Sequence, residues 1–227
     1  MSDSKDLALD LRSKLPRYDI RLGSAAGYAY VHDPRHIAFM ASRYKFVSKM
    51  LAGLDRVVEM GCGDGFGAPL VAQAVKELIC TDIDEGTLQD AAARLSVVKN
   101  IKFEYFDFRA GPYSSLVDGL FSVDVIEHIF PAEEETVLTN MARSLKRNGV
   151  AMVGTPNKTS DQYASEWSRY GHVNLKDHKT LRSSLEPHFH NVFLFSMNDE
   201  VLHTGFYPMA HYLLAVCAHL KDVNTAP

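Results

Sequence analysis

A short apolar segment that leads directly into a glycine-rich loop is the feature that most constrains the fold of this chain. Arg56–Met60 is typical of a buried strand. The pattern E-x-G-x-G-x-G at its end contains Glu59, Gly61, Gly63 and Gly65. Glycines in such a turn tolerate positive φ angles and let a ligand approach the backbone. In an open α/β sheet, this loop lies at the carboxyl edge of the strands, where ligands bind. The segment therefore predicts an α/β fold with a ligand site beside its first strand.

Further strand and helix patterns alternate through residues 55–156. Apolar runs predict strands at Leu78–Thr81, Ile101–Phe106, Gly119–Val125 and Val150–Gly154. Helical patterns lie between them at Pro69–Val75, after Asp84 and after Pro131. Units of this kind predict a parallel sheet with helices on both faces, and right-handed crossovers favour a doubly wound order.

The two ends of the chain differ from this middle part. Residues 1–54 are predicted to form an N-terminal helical cap, in which a loop at 23–34 precedes a helix with an apolar stripe. Residues 55–227 would then form the ligand-binding domain. Within it, Thr180–Leu185 is predicted as a short helix, and Asn191–Phe195 and His211–Val216 as strands of an antiparallel edge hairpin. Residues 157–180 are long and polar enough for a lid or a binding segment.

The composition limits the possible partners. A net charge of −4 argues against nucleic acid, because phosphate contacts need a basic face. The three cysteines include no C-x-x-C pair, so neither a metal site nor a disulfide framework is expected. The N-terminus lacks the apolar part of a secretory signal, and the longest apolar run, Tyr212–Ala218, is too short for a membrane span. We therefore expect a cytoplasmic protein without a membrane span.

The spacing of the loop separates the candidate ligands. Counted from Gly61, the dinucleotide fingerprint G-x-G-x-x-G requires glycine where Phe66 stands, and counted from Gly63 it meets only the looser form that ends in Ala68. A phosphate-binding P-loop would need a Gly-Lys pair, which the sequence lacks. The carboxylates of Glu59 and Asp64 favour a cationic ligand. S-adenosylmethionine, which carries a sulfonium and an ammonium group, has the matching charge.

Acidic residues also follow the next two predicted strands. Asp82 comes after the second strand, where a carboxylate can accept hydrogen bonds from ribose hydroxyls. Asp107 comes after the third strand, where it can accept a hydrogen bond from an adenine amino group, with Phe108 or Ile83 against the ring. Each feature alone also suits an ordinary turn or helix cap. Their placement at successive strand ends favours an adenosyl ligand.

These segments resemble the class I S-adenosylmethionine-dependent methyltransferases, and most closely the branch that contains the ubiquinone- and menaquinone-biosynthesis enzymes. The matching segments are VVEMGCGDG (57–65), CTDID (80–84), YFDF (105–108), FSVDVIEHI (121–129) and LKRNGVAMVGTPN (145–157). The resemblance implies a seven-stranded sheet that ends in an antiparallel hairpin. It also implies that Ser122 and Val123 approach the methionine part of the cofactor. The predicted cofactor-binding residues are Glu59, Gly61, Cys62, Gly63, Asp82, Ile83, Asp107, Phe108, Ser122 and Val123.

Two histidines are candidate catalytic bases. His128 follows the fourth predicted strand, close to the expected methyl group, although the Glu127–His128 pair could equally stabilise the following turn. His172 lies in the long polar segment after the fifth strand, where an exposed surface histidine is the alternative. A base that removes a proton from an acceptor hydroxyl typically accelerates transfer by ~10²–10⁴-fold.

The sequence favours a small-molecule acceptor, such as a hydroxyl of a metabolite, sugar or biosynthetic intermediate. The Asn/Asp-Pro-Pro-Tyr segment of enzymes that methylate amino groups of bases or glutamine does not follow the fourth strand, which continues as Asp124–Val125–Ile126–Glu127. A protein or nucleic-acid methyltransferase is one alternative, and a non-catalytic S-adenosylmethionine-binding protein is another. The oligomeric state is not predicted.

Overall fold

The core of the protein is a twisted sheet of eight strands, seen in a computed structural model that describes residues 3–221. In chain order the strands are β1 (Arg56–Met60), β2 (Glu77–Asp82), β3 (Ile101–Tyr105), β4 (Val117–Val123), β5 (Leu145–Pro156), β6 (Phe189–Asn198), β7 (Val201–His203) and β8 (Tyr212–Leu220). Their order across the sheet is β3-β2-β1-β4-β5-β8-β6-β7. The strands β1 to β5 pair in parallel, while β8 pairs antiparallel with both β5 and β6. The predicted doubly wound α/β fold with an antiparallel C-terminal edge is therefore confirmed.

The predicted count of seven strands is wrong by one. The additional strand, β7, pairs antiparallel with the end of β6 through a two-residue turn at Asp199 and Glu200. Asp199 adopts a positive φ of 50°, which Asn and Asp tolerate better than most residues. The Asn198–Asp199 pair was thus a turn signal that could have revealed this hairpin.

Eight α-helices accompany the sheet in the described part of the chain. They are α1 (Ser4–Lys14), α2 (Ser24–His32), α3 (Pro34–Met50), α4 (Ala68–Ala72), α5 (Glu85–Arg94), α6 (Pro131–Arg143), α7 (Glu166–Gly171) and α8 (His178–Leu185). One apolar layer packs α3, α4 and α5 against one face of the sheet, and a second layer packs α6 and α8 against the other. The two-sided packing explains why the central strands are almost continuously buried.

The residues that begin these helices follow familiar capping rules. The Asp84 side chain accepts a hydrogen bond from the backbone N–H of Thr87, and Pro131 occupies the first turn of α6, both as predicted. At α8 the N-cap is Asp177, three residues before the predicted start of the helix at Thr180, and the two residues form a reciprocal capping box. The helix therefore begins earlier than its apolar pattern indicated.

Two segments differ from the sequence-based prediction for physical reasons. Residues 23–34 were predicted as a loop, but α2 is helical, and the Asp64 carboxylate accepts a hydrogen bond from the Ala26 N–H at 2.8 Å. The fifth strand begins at Leu145 and not at Val150, because Leu145 already pairs with Val117. Its register then shifts, and regular pairing resumes where Gly119 meets Val150. No helix in residues 3–221 has the length and apolar composition needed to span a membrane.

Candidate functional site

A cavity of about 370 Å³ opens at the carboxyl edge of the sheet. It lies beside β1, at the point where the chain crosses from the β1-β2-β3 half of the sheet to the β4-β5 half. This reversal of strand order is the usual ligand position in open α/β sheets. Its walls are formed by Met60, Gly61, Gly63, Asp82, Ile83, Phe106, Asp107, Phe108, Arg109, Asp124, Val125, His128, Ile129, Phe130, Glu133 and Val137. Seven of the twelve predicted site residues therefore line one cavity.

The glycine loop forms one wall of this cavity through backbone geometry that side chains would prevent. Gly61 has a φ of +74°, and a Cβ atom there would lie 2.5 Å from a methyl carbon of Val125. Gly63 also has a positive φ, of +51°, but a Cβ atom there would meet nothing within 4 Å. The loop therefore leaves room for a ligand directly above Gly63.

Asp82 connects the loop to the end of β2. Its Oδ2 accepts a hydrogen bond from the Gly63 N–H at 2.8 Å, and its Oδ1 accepts one from the Ile83 N–H at 2.7 Å. Both oxygens retain lone pairs, because a carboxylate has about four acceptor sites. Asp82 can therefore hold the loop and still accept hydrogen bonds from a ligand hydroxyl.

Asp107 lies across the cavity from the glycine loop and is paired with a residue that the sequence analysis did not select. Both of its oxygens accept hydrogen bonds from Arg109, at 2.9–3.2 Å. These hydrogen bonds hold the pKa of Asp107 below its usual value, although burial opposes the shift. Phe108 is 3% exposed and lines the cavity with its neighbours. A planar apolar group that carries an amino group could pack against Phe108 and donate a hydrogen bond to Asp107.

Four of the predicted cofactor-binding residues lie behind the cavity wall. Cys62, Ser122 and Val123 are buried, and so is Glu59, which was expected to face a cationic ligand. The Glu59 carboxylate instead accepts hydrogen bonds from the Tyr44 hydroxyl at 2.7 Å and the Cys80 thiol at 3.3 Å. Burial raises the pKa of Glu59 to about 7 against the effect of these hydrogen bonds. Glu59 therefore joins α3 to the sheet without direct access to the cavity.

Asp64, the second carboxylate of the loop, is also engaged by the protein. It accepts the hydrogen bond from Ala26 at the beginning of α2 and packs against the Cα of Gly23, where a Cβ atom would clash at 2.4 Å from the Asp64 Cβ atom. The carboxylate therefore attaches the N-terminal cap to the glycine loop. Two of the predicted acidic residues line the cavity, Asp82 and Asp107. Asp107 pairs with Arg109, whereas Asp82 has no basic side-chain partner.

A half-buried ion pair, neither of whose residues was predicted from the sequence, lies on the other side of the cavity. The Arg43 guanidinium of α3 donates to Asp124 at 2.8 Å and lies 3.8 Å from the centre of the Tyr212 ring. Asp124 follows β4 with a positive φ of 59° and lines the cavity. Its position directly after a buried strand could have identified Asp124 as a site residue. No local sequence pattern identifies Arg43, because its partner is distant in the sequence.

Glu127, His128 and His172 come together beside this ion pair. The rings of His128 and His172 are 5.1 Å apart, and one ligand atom from each of the three residues lies within 4.8 Å of the others. Glu127 is fully buried, and burial raises its pKa to about 8, with the charge of Asp124 adding to the shift. His128 faces the first cavity, while His172 lines a second cavity of about 220 Å³. The structure thus brings the two candidate bases together.

The second cavity lies under the segment that was predicted as a lid or binding segment. It is lined by Pro156, Asn157, Ser160, Asp161, Tyr163, Ala164, Ser168, His172, Leu175 and His211. This segment contains a short 3-10 helix, Lys158–Tyr163, as well as α7, so it is more ordered than a simple loop. Seven of the ten lining residues have polar side chains, including the carboxylate of Asp161, but most of the surface that faces the cavity is apolar.

Comparisons with known proteins agree with this geometry. A family model described as a methyltransferase domain matches residues 57–149. A probable S-adenosylmethionine-dependent methyltransferase of Mycolicibacterium smegmatis is 33% identical over 121 residues, which are 51% of this chain and 43% of the relative. A ubiquinone biosynthesis O-methyltransferase of Rickettsia prowazekii is 29% identical over 146 residues, which are 60% of this chain and 54% of the relative. The matched regions span about half or less of these relatives.

Solved structures show the same fold at low sequence identity. The N-methyltransferase NodS from Bradyrhizobium japonicum WM9, in complex with S-adenosyl-L-homocysteine, superimposes with a TM-score of 0.65 and 16% identity over 96% of this chain and 99% of its own. A possible histamine N-methyltransferase from Thermotoga maritima gives a TM-score of 0.66 and 17% identity over 85% of this chain and 93% of its own. The glycine loop, the sheet order and these matches together show that the chain has the fold of class I methyltransferase structures and that its residues 57–149 are similar to a methyltransferase domain.

Proposed function

We propose that this protein transfers a methyl group from S-adenosylmethionine to a hydroxyl group of a small-molecule acceptor. The observation that carries the proposal is the single cavity that joins Gly63, Asp82 and Asp107 to His128. An adenosyl group needs hydrogen-bond acceptors for its ribose and its amino group, and a methyl acceptor needs a group that activates it. The cavity offers both kinds of residue at opposite ends.

The residues on the cavity wall fit the cofactor in charge and shape. Asp82 would accept the ribose hydroxyls, Asp107 would accept the adenine amino group beside Arg109, and Ile83 and Phe108 would contact the ring. Gly61 and Gly63 would let the amino acid part approach the backbone. The buried residues Glu59, Cys62, Ser122 and Val123 would support this wall from behind.

The methyl group on the cofactor sulfonium is the electrophile, and attack by an acceptor oxygen needs in-line alignment and exclusion of water. His128 lies on the cavity wall and would take the hydroxyl proton as the oxygen attacks. His172 would keep the His128 ring in place through their contact. The carbon–sulfur bond breaks as the carbon–oxygen bond forms, so the products are a methyl ether and S-adenosylhomocysteine.

Two observations support a hydroxyl on a small molecule as the acceptor. The relatives from Rickettsia are named as ubiquinone biosynthesis O-methyltransferases. The second cavity, next to His172, has a volume of about 220 Å³, which suits a small compound, and its wall includes the polar side chains of Ser160, Asp161 and His211. All three cysteines are free and buried, which supports a reducing compartment such as the cytoplasm.

Binding of the product and transfer of a labelled methyl group test this proposal in two steps. Calorimetry with S-adenosylhomocysteine should give one site per chain. The protein is then incubated with methyl-labelled S-adenosylmethionine and fractionated cell extract, and we expect the label in the small-molecule fraction. Label in the protein or RNA fraction would favour the macromolecular alternative. Cofactor binding with no label in any fraction would favour a non-catalytic binding protein.

A further inference from the structure

We propose that Glu127, His128 and His172 bind one divalent transition-metal ion between the two cavities. The inference deepens the proposed function, and the catalytic role given to the ion rests on it. The binding site itself rests only on the geometry of this chain. The three ligands come from two segments, the 3-10 helix Ile126–His128 after β4 and the end of α7.

The ligand set is suited to a transition metal. Two imidazoles and one carboxylate hold catalytic zinc in several enzymes and open-sited iron in others, with free positions left for water or substrate. The ligand atoms of Glu127, His128 and His172 all lie within 4.8 Å of one another. Small rotations of side chains would bring them to the usual metal–ligand distances of about 2.0–2.2 Å. Cysteine spacing alone predicted no metal site, whereas the ligands proposed here are two histidines and a glutamate.

The orientation of His128 supports coordination. Its Nδ1 donates a hydrogen bond to the backbone carbonyl of Gly171 at 2.9 Å. A carbonyl oxygen can only accept, so the proton is on Nδ1 and the Nε2 lone pair is available. Metal-binding histidines are commonly held in this way, with the second ring nitrogen bonded to a carbonyl or carboxylate. The hydrogen bond also joins the two segments that supply the ligands.

The Glu127 carboxylate provides a second, independent observation. Its side chain is fully buried, and Oε2 accepts a hydrogen bond from the Thr155 hydroxyl at 3.0 Å. Oε1 has no hydrogen-bond partner in the structure. A buried polar atom without a partner is energetically unfavourable, so such atoms usually indicate a ligand or an ordered water. A cation in the cluster would satisfy this oxygen.

The backbone around the cluster is fixed by hydrogen bonds that cross between the two segments. The Glu127 carbonyl accepts from the N–H groups of Val173 and Asn174 at 2.9 and 3.0 Å. The Asn174 side chain in turn donates to Glu134 on α6. His172 is therefore held next to Glu127 and His128 by its neighbours, as a preformed ligand site requires.

An ion at this position would act on the acceptor. His128 belongs to the first cavity and His172 to the second, so an acceptor in the second cavity could place a hydroxyl oxygen against the ion. A bound cation lowers the pKa of a coordinated hydroxyl, as it does for water. The proton then leaves to solvent and the methyl group moves from sulfur to oxygen, with the same products as above. With the ion bound, the histidines would act as its ligands, so the role of base proposed above for His128 would apply only to the metal-free protein.

Cobalt(II) titration of the full-length protein tests the site directly. After treatment with chelator, the wild type should bind one equivalent of Co²⁺ and show the visible absorption of a nitrogen-coordinated ion. Glu127→Gln and His172→Gln should each weaken binding by at least about 10-fold, because even the loss of an outer partner costs 10–100-fold. His190→Gln, a change at an exposed histidine of β6, is the matched control and should bind like the wild type.

Two results would overturn the inference. One is the absence of saturable Co²⁺ binding in folded wild-type protein, and the other is unchanged binding by the Glu127→Gln and His172→Gln variants. The far-UV circular dichroism of each variant verifies its fold. Calorimetry with S-adenosylhomocysteine separates the two proposals. Cofactor binding and methyl transfer without Co²⁺ binding would contradict only the metal site, whereas Co²⁺ binding without cofactor binding would contradict the proposed function.

Discussion

The two ends of the main cavity are built in different ways. At the end that is proposed to hold the adenosyl group (the adenosyl end), Gly63, Asp82 and Asp107 follow successive strands, and their hydrogen bonds connect residues at most 19 positions apart. At the end that is proposed to hold the acceptor (the acceptor end), the Arg43–Asp124 ion pair joins residues 81 positions apart, and the hydrogen bond from His128 to Gly171 joins residues 43 apart. The first end depends on local motifs, and the second depends on the completed fold.

This difference has a consequence for the roles of the two ends. A site that is made from strand ends is available as soon as the sheet forms, so any sheet of this type can carry it. A site that needs α3, β4 and α7 together can change when any one of them changes. We therefore expect changes at the adenosyl end to alter cofactor affinity. Changes at the acceptor end should alter both the stability of the fold and the activation of the acceptor.

The largest effect is expected at the adenosyl end, from Asp82→Ala. The change removes the acceptor proposed for the ribose and also the hydrogen bond that holds the Gly63 N–H at 2.8 Å. Hydrogen bonds to a charged group contribute about 1.5–3 kcal/mol each, so we expect affinity for S-adenosylhomocysteine to fall about 100-fold or more by calorimetry.

Asp84→Ala is the matched control for that variant. Asp84 is exposed, lies two residues further on and caps α5 through the Thr87 N–H at 3.1 Å. Its loss should reduce stability slightly, through the lost helix cap, and leave cofactor affinity unchanged. If Asp82→Ala binds like wild type, or if both variants lose affinity equally, the local character of the adenosyl end is contradicted.

A smaller effect is expected at the acceptor end, from Arg43→Met. Methionine keeps the apolar contact with Tyr212 but leaves Asp124 without its partner. Breaking a fully buried pair costs about 3–5 kcal/mol, and since the Asp124 side chain is 32% exposed we expect about 2 kcal/mol by chemical denaturation. Arg35→Met, which removes an exposed 3.5 Å pair with Asp33, should change stability by less than about 0.5 kcal/mol.

The double variant Arg43→Met/Asp124→Asn sharpens this prediction. If the cost arises from an unpaired carboxylate, neutralising Asp124 should recover part of the lost stability, which a double-mutant cycle measures. Equal stability of Arg43→Met and Arg35→Met would show that the acceptor end does not depend on this long-range contact.

The same contrast explains which parts of the fold were predictable from sequence. The strands β1 and β2 and the helix α5 have strong local patterns, with apolar runs or an i, i+3, i+4 stripe and an Asp cap, and they were predicted within a few residues. The helix α2 has no apolar stripe and is completed by the Asp64 side chain, 38 residues from Ala26. No window of the local sequence contains that interaction, so α2 was predicted as a loop.

The candidate site follows the same rule. Gly61, Gly63, Asp82 and Asp107 were selected from motifs at strand ends, and the structure brings them to one cavity. The direction of the Glu59 side chain could not be predicted, because it depends on Tyr44 from a helix that packs on the sheet only after folding. The proximity of His128 and His172 likewise depends on where α7 ends relative to β4.

The smallest effect is expected from Glu59→Gln, a change at a residue that belongs to the glycine motif but acts through a long-range contact. Burial raises the pKa of Glu59 to about 7, above the usual 4.5. Between about pH 4.5 and about pH 7, Glu59 keeps its proton in the folded protein but releases it in the unfolded chain. Stability from this group is therefore complete below about pH 4.5 and is lost as the pH rises towards about 7.

Glutamine is neutral at every pH, so the variant should lack this loss. Relative to the wild type, the unfolding free energy of Glu59→Gln should increase by about 1–2 kcal/mol from about pH 5 to about pH 8, measured by denaturation at both values. Glu77→Gln is the control, because the ion pairs with Lys102 and Arg56 lower the pKa of Glu77 and keep its carboxylate ionised across this pH range. The stability of that variant relative to the wild type should therefore be the same at both pH values. If Glu59→Gln likewise shows no change between the two values, Glu59 is ionised in the folded protein, and the motif carboxylate would then be charged, as the sequence alone suggested.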